Sequence, residues 1–241
     1  MGKFFSTFQK DVMVQVRNNI YGVTFIIALL FAVVFTFALN PNIISLAIPA
    51  AILFLVGGTT LAFIGGLILD EKDKGILLAM VLSPLSTKQY LWSKIASITF
   101  LAVLEIGIMA GGPVAYFTLA KGVALPNIPI FIVAIIAINL LYSLLGVTIT
   151  VRYRKMTEYM IPVVFCMIFF QIPILYYANI ITSPLLLAIP SAAPVMLVHG
   201  AFNSLELWQW IYSFGYTALI LVVLSYTAIR AYKKYIIGKL R

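Results

Sequence analysis

Residues 127–150 read NIPIFIVAIIAINLLYSLLGVTIT, a run of 24 positions without an acidic or basic side chain. A helix rises about 1.5 Å per residue, so a run of this length can cross the ~30 Å hydrocarbon core of a bilayer. Uncharged apolar runs this long are typical of transmembrane helices. The stretch therefore predicts a membrane span.

Apolar runs of similar length lie on both sides of this one. The chain is 63% hydrophobic and 10% charged, with a mean hydropathy of +1.10, which departs from a soluble composition in the direction of membrane proteins. The single cysteine, Cys166, and the lack of a Cys/His cluster offer neither a disulfide nor a metal site. We predict an all-α, polytopic membrane protein with six spans, at residues 19–39, 43–69, 94–119, 127–150, 158–180 and 208–229.

The basic residues indicate how these spans are oriented. Of the 16 lysines and arginines, 15 fall on one side of the predicted spans, and only Lys121 falls on the other. By the positive-inside rule, both termini, the 70–94 loop and the basic tail 231–241 are cytoplasmic, and we expect a multi-pass protein of the plasma membrane. The net charge of +9 is then explained by topology and anionic lipid. Nucleic acid is not an expected partner.

Residues 181–207 are apolar but do not have the pattern of a seventh span. Pro184, Pro190 and Pro194 divide them into pieces too short to cross a bilayer. A seventh span would also place the basic C-terminus outside. Between the fifth and sixth spans we therefore predict a re-entrant hairpin that enters from outside, a geometry tolerated where protein buries the broken backbone.

The first 18 residues have a helical spacing of their own. Phe4, Phe8, Val12 and Val16 recur every four positions, so they share one face of a helix. Residues 1–18 are thus predicted to form an amphipathic helix in the cytoplasmic interface, ahead of a membrane domain covering residues 19–230. An ordinary polar N-terminus is the alternative.

The cytoplasmic loop between the second and third spans is the least apolar part of the first half of the chain. Asp70, Glu71 and Asp73 precede the apolar run Ile76–Leu82, and Pro84 follows it. Acidic side chains stabilise the N-terminal end of a helix, and the residue before a proline disfavours helix. The pattern predicts a short apolar helix that begins after the acidic residues and needs a cover.

A separate start signal for the third span follows at once. Ser86 and Gln89 have the spacing of a capping box, with Ser86 as N-cap and Gln89 at the third helical position. Leu85 is placed to pack against Tyr90 as a hydrophobic staple.

These residues carry a resemblance to a known family. The segments 71–75 (EKDKG), 82–86 (LSPLS) and 90–94 (YLWSK), together with the six-span topology, resemble the type-2 ATP-binding-cassette (ABC) exporter permeases. The resemblance is closest to the fluoroquinolone-type and multidrug export permeases. It covers the whole chain in topology, whereas the specific motif covers only the loop.

The resemblance implies partners that the chain itself does not contain. In such exporters the loop carries a coupling helix that docks on a separate cytoplasmic ATPase, which binds ATP and Mg²⁺, and two permeases assemble with two ATPases. The chain has no G-x-x-x-x-G-K-[ST] motif of its own, so we expect a transport subunit and not an enzyme. The expected cargo is amphipathic: a drug, a lipid-like compound or a hydrophobic peptide. The implied coupling residues are Glu71, Asp73, Lys74, Ile76, Leu77, Met80, Val81 and Pro84.

Three polar residues inside the spans are candidates for the substrate path: Glu105, Asn139 and Gln171. Glu105 falls near the bilayer centre, where a carboxylate costs roughly 2.5 to 3.5 kcal/mol, so it is not expected to face lipid. It either lines the path or bonds to a polar group such as Asn139. His199, the only histidine, is expected to be structural. The glycine pairs 57–58, 65–66 and 111–112 are expected to allow close helix approach.

Two other functional classes remain open. A secondary transporter would usually show internal repeats or several charged residues within its spans, and the chain shows no repeat and one such acidic residue. An intramembrane enzyme would need a catalytic set, and a single histidine with no G-x-S-x-G motif supplies none. A co-purifying ATPase would distinguish the exporter from both.

Overall fold

The computed structural model describes residues 2–40, 43–77 and 86–238. Within these ranges the chain is helical and contains no strand, as predicted. The described residues include six helices long and apolar enough to cross a membrane, and each overlaps a predicted span. We name them spans one to six: Ile20–Ala38, Ile44–Asp73, Thr87–Lys121, Ile128–Thr150, Met156–Tyr177 and Leu207–Ile237. The N-terminal helix is Lys3–Arg17, and an additional short helix is Ala192–Phe202.

Three of the spans form the centre of the bundle. In spans two, three and four, 61%, 50% and 67% of the most apolar stretch is buried, against 17%, 22% and 17% in spans one, five and six. The outer three therefore present most of their apolar surface to lipid or to another subunit. The central three carry the polar side chains described below.

Three glycines of span two allow close contacts with spans four and five. A Cβ atom on Gly65 would lie 2.0 Å from Cε1 of Tyr159, and one on Gly57 would lie 2.6 Å from Cζ of Tyr142. Gly58 is similarly close to Met167. The predicted close approach is confirmed for these three glycines. At Gly66 and Gly111 a Cβ would meet nothing within 4 Å, so the prediction is wrong there.

The N-terminal helix lies against span three with its polar face inward. Asp11 is 8% exposed and Gln15 is fully buried, whereas Phe4 and Val16 are 40% and 56% exposed. The helix is therefore amphipathic, as predicted, but its apolar residues are not all directed outward: the Phe8 ring centre lies 6.3 Å from that of Phe100 on span three.

The end of span two differs from the prediction. The helix continues through Asp73, with Lys74 as its C-cap, and Gly75 at φ +68° ends it. Asp70, Glu71 and Asp73 thus lie at the C-terminal end of a long helix, where the helix dipole disfavours negative charge. The three acidic residues thus belong to span two, which extends four residues past its predicted end, while Ile76 and Leu77 are helical again, where the predicted short helix begins. Lysines compensate for the acidic side chains: Lys74 Nζ lies 2.7 Å from Oδ2 of Asp70.

Span three begins where the sequence indicated. Ser86 is the N-cap: its Oγ accepts from the Gln89 amide at 3.2 Å, and its own amide donates to Oε1 of Gln89 at 3.1 Å. The capping box is confirmed, and it starts the helix at Thr87, seven residues before the predicted start of the span. The staple from Leu85 and most of the predicted helix Ile76–Leu82 lie outside the described residues.

The proline-rich segment between spans five and six is broken, as predicted. A 3₁₀ turn, Pro184–Ala188, precedes the helix Ala192–Phe202, and nearly all residues of that helix are buried against spans four and six. Its C-terminal end meets the start of span four, because the Asn127 amide donates to the Ala201 carbonyl at 2.7 Å. Its entry into the membrane from outside stays a prediction.

Candidate functional site

One buried ammonium joins three helices at the end of the bundle that carries the N-terminal helix. Lys94 Nζ, on span three, lies 2.8 Å from Oε1 of Glu71 on span two and 3.2 Å from Oδ1 of Asp11 on the N-terminal helix. The Lys94 side chain is 1% exposed. A buried lysine is held charged by such partners, and removing them would leave an uncompensated charge.

Hydroxyl groups of span three complete the coordination of both carboxylates. The Tyr90 hydroxyl donates to Oε2 of Glu71, and Ser93 Oγ donates to Oδ2 of Asp11 at 3.1 Å. Positions 90, 93 and 94 share one helix face because side chains three and four residues apart lie side by side. We call Asp11, Glu71, Tyr90, Ser93 and Lys94 the Lys94 cluster.

The charges of the Lys94 cluster do not cancel. Two carboxylates face one ammonium, and all three groups are shielded from water. Burial raises the pKa of the Asp11 carboxyl, Lys94 opposes that rise, and the nearby Glu71 carboxylate adds to it. The net effect is that burial disfavours the charged form of Asp11.

Lys72 makes a second connection at the same end of the bundle. Its Nζ donates to the carbonyl of Tyr153 at 2.6 Å and to that of Val151 at 3.4 Å. These carbonyls follow the last turn of span four, where unpaired carbonyls and the helix dipole favour a cation. The end of span two is thus held on one side by Lys94 and on the other by the loop after span four.

A group of polar side chains lies deeper, among the central spans. It comprises the carboxylate of Glu105, the amide of Asn139 and the hydroxyls of Thr59, Thr60, Thr99 and Ser143. Glu105 is 2% exposed, and its Oε2 accepts from Thr59 Oγ1 at 3.4 Å. Glu105 therefore bonds to a polar group, as the structural alternative expected, but the partner is Thr59 and not the suggested Asn139. Asn139 instead donates to Thr60 at 2.7 Å and accepts from Thr99 at 2.7 Å, while Ser143 donates to the same amide oxygen at 3.3 Å.

Gln171 donates a hydrogen bond to the backbone of span two. Between the α-helical parts Ile44–Ala51 and Gly57–Asp73, this span has one π turn, Ile52–Val56. Such a turn interrupts the regular ladder of backbone hydrogen bonds. Gln171 Nε2 donates to the Leu53 carbonyl within that turn at 2.9 Å. This contact gives Gln171 a structural partner, and a place on a substrate path stays a prediction.

His199 lies on the wall of a cavity of about 270 Å³ at the opposite end of the bundle. Its Nε2 is 3.2 Å from Nδ2 of Asn203, and its ring centre is 5.8 Å from that of Tyr177. Burial lowers the pKa of the imidazole, which favours the neutral form. These contacts fit the expected structural histidine.

Comparison with known proteins identifies what kind of chain has this arrangement. Residues 2–240 match the fluoroquinolones export permease protein family. The chain belongs to that family. It is also 26% identical over 172 residues to the fluoroquinolones export permease protein of Mycobacterium tuberculosis, in strain CDC 1551 / Oshkosh and in strain ATCC 25618 / H37Rv. The match covers 71% of this chain and 68% of each relative. The protein is thus a multi-pass membrane permease of an export system.

The permease holds both flanks of the loop between spans two and three in place. Glu71 lies four residues before Gly75, and Lys94 lies eight residues after Ser86, so one ion pair closes the base of the loop. Of the predicted coupling residues, Asp73 and Lys74 are exposed beside this base. Ile76 is 41% exposed and Leu77 is 4% exposed. Glu71 is directed inward to Lys94, while Met80, Val81 and Pro84 lie outside the described residues.

Sequence reasoning missed two members of the permease's Lys94 cluster. The sequence pattern gives Asp11 no role and places Lys94 only in a motif, because no periodic pattern connects positions 83 residues apart. A usable signal was present: Asp11 is the only acidic residue before position 70, on a helix otherwise basic among its charged side chains. An isolated acid next to a membrane indicates a basic partner.

Proposed function

We propose that this permease is the membrane subunit of an ATP-driven exporter, and that a separate cytoplasmic ATPase docks on the loop between spans two and three. The observation that carries the proposal is the base of that loop. The Lys94–Asp11 pair at 3.2 Å connects it to the N-terminal helix, and the Lys72–Tyr153 bond at 2.6 Å connects it to the loop after span four. A movement of the docked loop would therefore be transmitted to four segments together: spans two and three, the N-terminal helix and the loop after span four.

The proposed assembly has two permeases and two ATPases, with ATP and Mg²⁺ bound by the ATPases. Spans one and five support a second permease, because only 17% and 22% of their most apolar stretches are buried within one chain. Both termini and the loop would face the cytoplasm, in keeping with the basic residues at that end. The substrate pathway would then lie between the two copies.

The proposed cargo is an amphipathic, aromatic drug of the kind that the relatives' names specify. Spans one and five expose several large apolar side chains that could line a pathway for such a molecule, among them Phe37 at 79% and Phe165 at 71%. Glu105 is buried against Thr59, so it would contact cargo only if spans two and three separate. Its participation in transport stays a prediction.

The decisive experiment is co-purification of an ATPase with tagged permease, together with ATP hydrolysis in lipid. Met80→Asp places a charge in the proposed apolar contact, where a buried apolar side chain contributes roughly 1.5 to 3 kcal/mol. We expect at least tenfold less ATPase recovered, with the permease still inserted in the membrane. Lys155→Ala, an exposed basic residue at the same end, is the matched control and should retain wild-type recovery.

Two outcomes would contradict the proposal. Equal ATPase recovery with Met80→Asp and Lys155→Ala would show that the ATPase does not dock on this loop. Drug export that persists when ATP hydrolysis is blocked, and that collapses with the ion gradient, would instead favour a secondary transporter.

A further inference from the structure

A second cavity, of about 420 Å³, lies where the start of span three meets the end of span six. Its described lining consists of Lys88, Tyr226, Ile229, Arg230 and Lys233. It is separate from the Lys94 cluster and from the cavity at His199. Nothing in the proposed export mechanism uses it.

The lining is cationic and carries no acidic side chain among the described residues. Lys88 comes from span three, while Arg230 and Lys233 come from span six. The ion pairs of the described chain involve only Lys74 and Lys94, so these three cations have no carboxylate partner there. Three like charges around one cavity repel each other and are stabilised by an anion.

The rest of the lining is apolar and aromatic. Tyr226 is 65% exposed, and Ile229 is half-buried. Both lie on span six before its basic end: Tyr226 is one turn before Arg230, and Ile229 directly precedes it. Tyrosine is enriched at the depth of lipid headgroups, where one end of the side chain is apolar and the other meets water. The cavity thus has a charged part at the basic end and an apolar part toward the bilayer.

We propose that this cavity is a binding site for an anionic phospholipid. The headgroup phosphate lies among Lys88, Arg230 and Lys233, and the upper acyl chain packs on Tyr226 and Ile229. Basic pockets between membrane helices on the cytoplasmic side bind such headgroups. The site requires only that this end of the bundle lies at the membrane surface, so it stands independently of ATP-driven export.

The position of Lys88 gives the lipid a consequence. Lys88 lies in the first turn of span three, two residues after the Ser86 cap and directly beyond the loop proposed to dock the ATPase. A bound lipid therefore bridges the start of span three to the end of span six. It would stabilise the loop-bearing end of the permease against movement relative to span six.

Native mass spectrometry of the purified full-length permease tests the site. Dioleoyl-phosphatidylglycerol and dioleoyl-phosphatidylcholine are compared at equal concentrations, so that only the headgroup differs. Each cation near an anionic headgroup contributes about fivefold in affinity. We expect phosphatidylglycerol to bind at least tenfold more tightly, and the triple variant Lys88→Gln, Arg230→Gln, Lys233→Gln to bring the ratio within twofold of one.

The matched control removes the same charge from the same end of the bundle. Lys10→Gln, Arg154→Gln, Lys155→Gln changes three exposed cations that do not line the cavity, and it should keep the wild-type preference. An equal loss of preference in both triples would show diffuse attraction and overturn the site. Displacement of phosphatidylglycerol by millimolar glycerol phosphate, or undiminished preference in the cavity triple, would overturn it as well.

Discussion

At the scale of single residues, Lys94 has the largest structural role in the permease. It is 1% exposed and lies within 3.2 Å of carboxylates from two other helices. A buried ion pair contributes little net stability compared with apolar residues of the same size, because desolvation offsets the attraction. Removing one partner is different, since it leaves the other charge buried and alone.

The residue-scale prediction follows from that asymmetry. Lys94→Met leaves the buried Asp11 and the half-buried Glu71 without a cation, which costs about 3 to 5 kcal/mol, or roughly 6 to 20 °C in Tm for a chain of this size. Asp11→Asn should cost less, because burial already disfavours the Asp11 charge. The measurement is thermal unfolding of purified permease in detergent, followed by size-exclusion chromatography.

The control variant removes all three charges of the Lys94 cluster together. Asp11→Asn, Glu71→Gln, Lys94→Met should recover most of the Tm lost in Lys94→Met alone, because no unpaired charge remains. A triple variant less stable than Lys94→Met would show that the ion pairs themselves stabilise the fold, against this account.

At the scale of helices, local signals predicted starts better than ends. The Ser86–Gln89 capping box is contained in four residues, so the sequence predicts the start of span three correctly. The end of span two was misplaced because acidic residues at a helix C-terminus conflict with the dipole. What resolves that conflict for Glu71 is Lys94, 23 residues further along, and no local pattern shows such a partner.

Alanine should have different effects on stability at two adjacent glycines of span two. Gly65→Ala would place a methyl group 2.0 Å from the Tyr159 ring, whose hydroxyl donates to the Leu61 carbonyl at 2.6 Å. Overpacking of this kind costs about 1 to 3 kcal/mol, and we expect Tm to fall by several degrees. Gly66→Ala meets nothing within 4 Å and should leave Tm unchanged or raised, because alanine favours helix. Equal Tm values for the two variants would disprove the close contact.

At the scale of the whole molecule, the sequence was informative about topology, whereas on packing it correctly predicted only the close approach at three glycines of span two. Span number follows from the length of apolar runs, because the bilayer imposes one length on every crossing helix. Which spans lie at the centre depends on side chains that meet across the bundle, such as Asn139 with Thr60 and Thr99.

The last prediction concerns the direction in which the whole bundle crosses the membrane. Span four separates two exposed loop regions: Lys121 and Leu125 precede it, and Arg154 and Lys155 follow it. Because 15 of 16 basic residues fall on the side of Arg154, the positive-inside rule places that side in the cytoplasm.

In a Cys166→Ala background, cysteines at Lys121 and Leu125 should react with an impermeant maleimide in intact cells. Cysteines at Arg154 and Lys155 should react only after the membrane is permeabilised, which also verifies that they are accessible. Labelling of Arg154→Cys in intact cells would show that the orientation is the reverse of the predicted one. The loop between spans two and three would then be unable to reach a cytoplasmic ATPase.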